Sequence, residues 1–418
     1  MPSTIELGLG RISRLLQDTT LTWKPIHVAG TNGKGSICAS ISAALHAAGI
    51  RVGTFTSPHL LDRWDCISIA GQSIKESLFL DLEAKVKARD KGQKIDATNF
   101  ELLTATAFEA FNQEKVDVGV IEVGLGGRLD ATNILKNPLV TILAKIGMDH
   151  QSFLGSTLKE IAYQKAGIMK PGVTCVYDGT NDAEAINVFK EYAKEIKAGP
   201  LKGVSLPDPS KVTELPLHNT SHMDNIPPHQ RVNVSCSLEA LRVVFPQLGI
   251  HETPESFLPL MTKTRLPGRL QQMSIEPLTG FRGKVLLDGA HNPQSATVLA
   301  NYVNESMREN NSGITWVLAA TQGKDVRSIF PIILKEKDNV VAVEFGPVAG
   351  MPWIKPIAGK ILVDEAMTIC INGELRNGKK NVLDGLQMAS DIAQDGPVVI
   401  AGSLYLVSDV LKLVRDSN

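Results

Sequence analysis

The sequence predicts an α/β protein of two domains, the first a mainly parallel sheet built around a phosphate-binding loop and the second a smaller α/β domain. Three observations carry that expectation. An apolar run at 26–29 is followed by Gly30-Thr31-Asn32-Gly33-Lys34-Gly35-Ser36 and then by an alanine-rich stretch at 37–48, the order of a buried strand, a glycine turn and a helix. Nearly unbroken apolar runs at 116–123 and 139–146 return in the second half at 284–287, 315–319, 340–343 and 398–401, separated by helical patterns. Continuous apolar strands that alternate with helices belong to parallel sheets covered on both faces. The length, 418 residues, suits two domains, expected at 1–262 and 263–418 because Lys263, Arg265 and Pro267 interrupt the pattern there.

The elements follow in order. Ile12, Leu15 and Leu16 have helical spacing, so an amphipathic helix precedes the first strand. Gly49 ends the alanine-rich helix, and 51–56 reads as a strand that turns at Ser57-Pro58-His59-Leu60. A short strand at 67–69, a charged helix at 75–89 and a second helix at 98–111, with Phe100, Leu103, Phe108 and Phe111 mostly on one side, lead to the apolar strand ending at Glu122. Residues 199–228 are rich in proline and polar groups without periodicity and read as an irregular insertion, after which 232–245 resumes as a helix.

Composition narrows the class. Lysine and arginine number 43 against 44 aspartate and glutamate, so no large field steers the chain to nucleic acid or a membrane. No run of about 18 apolar residues suggests a membrane span, and Glu6, early in a start without a charged-then-apolar leader, argues against a targeting peptide. Cys38, Cys66, Cys175, Cys236 and Cys370 are scattered and odd in number, which suits a reducing compartment rather than zinc or disulfides. We expect a cytoplasmic, monomeric enzyme acting on small molecules, with no nucleic-acid or membrane partner.

The loop at 30–36 is an anion cradle. Glycines let backbone N–H groups approach phosphate oxygens, and the helix N-terminus that follows favours negative charge. Lys34 can reach the outer phosphates and Ser36 can stand near Mg²⁺, although Gly35 separates them and breaks the common G-x-x-x-x-G-K-[ST] spacing. In a parallel sheet, ligands gather beyond the C-terminal ends of the strands. Ser57, Glu122 and His150 fall at such ends, and oxygen ligands beside phosphates suit Mg²⁺. Glu122 reads alternatively as a helix cap, and His150 as a structural histidine. The glycine-rich loop at 124–133 is too polar for a strand or helix interior, and such loops beside a nucleotide site carry function.

Several of these stretches together carry a resemblance. The loop at 30–36, Thr56-Ser57-Pro58-His59-Leu60, the run from Glu122 to Asn133, Asp149-His150, and Lys165-Ala166-Gly167-Ile168 resemble the folylpolyglutamate synthase and dihydrofolate synthase family, within the Mur-ligase group of ATP-dependent amide-forming enzymes. His229-Gln230 with Asn233, Leu266-Pro267-Gly268-Arg269-Leu270, Leu287-Asp288-Gly289-Ala290-His291-Asn292-Pro293 and Gly402-Ser403-Leu404-Tyr405 extend the match over almost the whole chain.

The resemblance implies a two-domain Mur-ligase-like fold and a ligase that couples ATP to amide formation with glutamate. It implies ATP contacts at Thr31, Asn32, Gly33, Lys34, Gly35, Ser36, Asn233, Arg269, Asp288 and His291, and magnesium held by Ser57, Glu122, His150 and Lys165, the last matching the lysine that such enzymes carry as a carbamate. A monovalent cation is a further possible requirement. Lys34, Lys165 and His291 are the implied catalytic residues. Phe100, Asp130 and Asn133 match positions near the pterin. An aromatic face at Phe100 suits a flat heterocycle, and ordinary core packing explains it equally well. Lys165 reads alternatively as a solvated helical lysine, and Gln164 stands where the family often has glutamate. Some members glutamylate dihydropteroate and others extend folate polyglutamates. Asp65-Cys66 replaces a Glu-Arg pair usual after the Ser-Pro-His-Leu motif, with Arg63 as the alternative cation, and with the opening at 5–12 the stretch is more similar to fungal dihydrofolate synthases, so dihydropteroate is the expected acceptor. The alternatives are polyglutamate extension, both activities, or a nucleotide-binding paralogue without turnover.

Overall fold

The computed structural model describes residues 6–205, 223, 226–309, 312–377 and 381–417. Most of the insertion at 206–225, and Ile5 of the opening stretch, lie outside the described residues. The chain forms two compact units: a larger one running up to His59 and over Trp64–Leu266, and a smaller one of Leu60–Arg63 and Pro267–Asn418.

In the larger unit the described strands are β1 (Lys24–Ala29), β2 (Val52–Phe55), β3 (Ile67–Ile69), β4 (Gln72–Ser73), β5 (Val118–Glu122), β6 (Val140–Leu143), β7 (Cys175–Asp178) and β8 (Leu201–Val204). They make one sheet in the order β4-β3-β2-β5-β1-β6-β7-β8. The six from β2 to β8 pair in parallel, while β3 and β4 add antiparallel at one edge. The expectation of a mainly parallel sheet therefore holds. β8 lies inside the stretch expected to be irregular: it is an edge strand of four half-exposed or exposed residues and needs no apolar run to pair.

The strands are buried on both faces, and β1 shows how. Ile26 and Val28 pack with α2 (Lys34–Ala47) and with the long helix Pro228–Leu248, whereas Ala29 joins the cluster on the opposite face. Alternate side chains of a strand point to opposite faces, so His27 is directed to that second face. There α1 (Gly10–Leu15), α3 (Glu76–Gln93) and α4 (Asn99–Gln113) close one core, and α6 (Leu158–Ala166) with α7 (Ala183–Glu195) closes another. α4 starts at a capping box: Thr98 accepts from the Glu101 N–H at 3.2 Å and Glu101 accepts from the Thr98 N–H at 2.7 Å.

The smaller unit has its own sheet, ordered β13-β12-β11-β14-β10-β9. The four strands expected from apolar runs are present as β10 (Lys284–Leu287), β11 (Thr315–Leu318), β12 (Asn339–Ala342) and β14 (Val398–Ala401). The sequence reading missed β9 (Gln271–Ser274), which is antiparallel, and β13 (Leu375–Asn377). Both are short, largely polar edge strands, the kind that hydrophobic periodicity cannot reveal.

Candidate active site

The site is built from the exit of β1. Gly33 is the N-cap of α2 with φ 87°, a left-handed conformation, and a Cβ there would lie 2.5 Å from Asn233 Oδ1. Only glycine fits both the backbone and the neighbour. The helix starts at Lys34, earlier than the apolar pattern suggested, so the cradle residues Lys34, Gly35 and Ser36 are its first turn. First-turn N–H groups of a helix lack intrahelical acceptors and point outward. The loop is tied to the end of β6: the Thr31 and Asn32 N–H groups donate to Lys145 O at 2.7 and 3.1 Å, and the Thr31 hydroxyl donates to Gly147 O and accepts from Gly147 N–H, both at 3.0 Å. A rigid frame holds the donors before any phosphate arrives.

Charge is arranged around that helix start. Lys34 Nζ lies 3.5 Å from Glu122 Oε1 at the end of β5 and donates to Thr31 O at 3.3 Å. Glu122 thus stands at the start of α2, beside the first residue of that helix. Lys165, in the last turn of α6, is buried and donates to Gly30 O at 2.9 Å. Burial, reinforced by the charge of Lys34, pulls its ammonium down to about 7. It is not the solvated lysine of the alternative reading.

His150 is exposed, takes a left-handed conformation with φ 51°, and caps a single helical turn, its N–H donating to Asp149 Oδ1 at 2.8 Å. Ser57 is half-buried beyond β2. Among the described residues no three His, Cys, Asp or Glu side chains form a ready cage for a metal. The donors do fit Mg²⁺, which keeps waters and phosphate oxygens in its shell and needs only one or two carboxylates from the protein. Glu122 supplies a carboxylate beside Lys34, where phosphates would lie.

The loop at 124–133 is locked by its own side chains. Asp130 is buried and accepts from the N–H groups of Leu125 at 2.8 Å and Thr132 at 2.9 Å and from the Thr132 hydroxyl at 2.5 Å. Burial raises its carboxyl, and these donors pull it back. Asn133 donates to Arg128 O and Gly167 O, both at 3.0 Å, and accepts from Lys170 Nζ at 2.7 Å. The tip of the Phe100 ring packs so close to Gly124 that a Cβ there would run into it, and its centroid is 6.1 Å from that of Phe55. Phe100 is thus half-buried at the rim of a core cluster, with one side committed to packing. The sequence reading missed His27, Thr132 and Lys170 in this lattice. A histidine in the middle of a central apolar strand was the available signal, because a buried polar group is what carries information.

In the smaller unit, Asp288 follows β10 and accepts from the N–H groups of Leu270 and Ala290, each at 2.8 Å. Burial raises its carboxyl and the Arg269 charge opposes the rise. His291 directs Nδ1 to Gly289 O at 2.8 Å. A carbonyl only accepts, so Nδ1 carries the hydrogen of that contact. Asn292 then caps the helix Pro293–Ser306 through a reciprocal pair with Ser295. Leu270 has φ 43°, a left-handed strain that a leucine accepts only where its surroundings impose it.

Two family descriptions match the chain: "Mur ligase middle domain" over residues 28–239 and "Dihydrofolate synthetase, C-terminal domain" over 271–413. It is similar to a probable dihydrofolate synthetase of Schizosaccharomyces pombe, 37% identical with 98% of this chain and 99% of that one covered. It is likewise similar to the dihydrofolate synthetase of Saccharomyces cerevisiae, 35% identical with 98% of each covered. Among solved structures, E. coli FolC in complex with DHPP and ADP superposes with TM-score 0.79 at 26% identity, over 100% of this chain and 95% of that one. A bifunctional folylpolyglutamate synthase/dihydrofolate synthase with Mn, AMPPNP and L-glutamate bound superposes with TM-score 0.77 at 27% identity, over 99% and 95%.

Proposed function

Because this chain belongs to the dihydrofolate synthase and folylpolyglutamate synthase family of Mur-type ligases, we propose that it joins L-glutamate to 7,8-dihydropteroate at the expense of ATP. The acceptor carboxylate attacks the γ-phosphorus and ADP leaves. The glutamate amine then attacks the acyl phosphate, loses a proton, and phosphate departs from the tetrahedral adduct. Such chemistry asks the protein chiefly for alignment and charge neutralisation. The observation that carries the reading is the pairing of Lys34 with Glu122 at 3.5 Å on the first turn of α2, beside the buried Lys165.

The α2 N–H groups and Lys34 hold the phosphates, and Lys34 compensates charge on the phosphoryl group in transit. Ser57, Glu122, His150 and Lys165 are the residues that would hold a divalent metal, which when bound supplies Lewis-acid stabilisation of phosphate charge. Lys165 is a candidate carbamate, and a monovalent cation is a further candidate requirement. We assign ATP contacts to Thr31, Asn32, Gly33, Gly35, Ser36 and Asn233, and in the smaller unit to Arg269, Asp288 and His291. Phe100, Asp130 and Asn133 define the pterin side. Residues 1–262 serve as the ATP- and pterin-binding domain, and 263–418 as the glutamate-ligase domain. No described helix is long and apolar enough to cross a membrane. The five buried thiols suit the cytoplasm, and we take the working form to be a monomer.

The acceptor choice rests on Asp65 and Cys66. They lie in the helical turn Arg63–Cys66, and Cys66 is buried in the core, so neither of these two positions offers a cation to an anionic folate tail, and Arg63 is the one basic residue of that turn. The deciding measurement is glutamate-dependent phosphate release, with kcat/KM compared for dihydropteroate and a reduced folate monoglutamate. A clear preference for dihydropteroate is expected. Equal or better use of the folate moves the enzyme to the polyglutamate synthases, and no turnover with either makes it a nucleotide-binding paralogue.

A further inference from the structure

His27 is a buried titratable group that the mechanism leaves unused. It is fully buried on β1, three residues before the phosphate loop, with Nε2 2.9 Å from Thr132 Oγ1. The Thr132 hydroxyl has one hydrogen, and Asp130 Oδ1 lies 2.5 Å from it. A carboxylate oxygen accepts, so that hydrogen goes to Asp130 and the Thr132 oxygen accepts from His27. The relay runs one way, from His27 Nε2–H to Thr132 to Asp130. It leaves His27 Nδ1 as a bare acceptor, and this atom indeed has no hydrogen-bond partner among the described residues. Asp130 in turn receives the Leu125 N–H at 2.8 Å, next to Gly124, the residue on which the Phe100 ring rests.

We propose that His27 is a positioning residue for the acceptor: through Thr132 it holds Asp130, and with it the turn at 124–125 against Phe100, in the register that β1 sets for the phosphate loop. β1 leads into Gly30, whose carbonyl receives Lys165 at 2.9 Å. One strand therefore fixes the phosphate side directly and the pterin side through this relay. Asp130 spends its oxygens on its own loop, so its part in acceptor binding is to shape the surface. The inference rests on the reading that this loop faces a pteroate.

The test uses the full-length enzyme and four variants: Thr132→Val, Thr132→Ser, His27→Phe and the double His27→Phe/Thr132→Val. Loss of one buried hydrogen bond should raise KM for dihydropteroate by ~10-fold in Thr132→Val and His27→Phe, while KM for ATP stays within about 2-fold. Thr132→Ser, which keeps the hydroxyl, should stay close to wild type. The double variant should be no worse than the worse single one, because both cut the same relay. Additive effects, failure of serine to rescue, or equal losses for ATP and acceptor would overturn the proposal. If the His27 variant does not fold, the valine and serine pair decides alone. A wild-type enzyme that uses dihydropteroate while Thr132→Val keeps its KM sinks only this inference; a wild type that uses no pteroate or folate overturns both it and the proposed function.

Discussion

Lys34 stands between two carbonyl-rich and acidic neighbours, Thr31 O at 3.3 Å and Glu122 at 3.5 Å, and both contacts keep its ammonium over the cradle. Lys34→Ala should leave the fold intact and cut glutamate-dependent ATP turnover by at least ~10²-fold, the scale of losing one preorganised charge contact in a transition state. A folded variant with near-normal turnover would remove Lys34 from the mechanism. Glu122→Gln should raise the Mg²⁺ concentration needed for half-maximal rate, since an amide is a poorer ligand than a carboxylate. His27 supplies a pH prediction. Its ordinary value of 6.5 falls to about 3 in the fold, first through burial and then through the charge of Lys170. Between those values the unfolded chain takes up a proton that the folded one refuses. The stability it contributes is complete above pH 6.5 and is lost as pH falls towards about 3. Wild type should therefore lose about 2 kcal/mol from this group between pH 7 and 5. His27→Phe should show a correspondingly flatter dependence in urea unfolding, and equal slopes would refute the assignment.

At the scale of elements, α4 and the loop at 124–133 act as one piece. The capping box at Thr98 fixes where α4 begins, and that start aims Phe100 at Gly124. Thr98→Ala should cost ~1 kcal/mol, the usual loss for an N-cap, read as a lower urea midpoint. Gly124→Ala is more specific: the new methyl would meet the Phe100 ring, so the acceptor KM should rise far more than that for ATP. Unchanged acceptor kinetics in a folded Gly124→Ala enzyme would show that this contact plays no part in binding. On the phosphate side, Gly33 does the equivalent job between the loop and Asn233.

For the whole molecule, each unit closes its own cores around its own sheet. The smaller one is tied at Asp338, fully buried, whose carboxylate receives Arg308 through two bonds at 2.7 and 2.9 Å, the Ile314 and Lys335 N–H groups at 2.9 Å each, and Trp316 Nε1 at 3.0 Å. Removing one partner of a buried pair strands the other charge and costs ~3–5 kcal/mol. Asp338→Ala should lower hydrogen-exchange protection in β11 and β12 and spare β1, β5 and β6. Equal loss in both sheets would show that the units unfold together.

The sequence by itself determined the central strands of both sheets apart from β7, the phosphate loop and the family. Buried parallel strands must be continuously apolar, and a loop that wraps phosphate must be glycine-rich, so these constraints are written locally. Tertiary structure alone decided the rest. The edge strands β8, β9 and β13 carry no apolar pattern because one side of each has no strand to bury against. The hydrogen-bond partners of Asp130 and Asn133, which are Thr132, Leu125, Arg128, Gly167 and Lys170, are visible only in the fold. The Lys165 ammonium is pulled down because residues far from it in sequence exclude water from its head. Hydrogen-bond partners and local dielectric are properties of packing, and a linear pattern does not encode them.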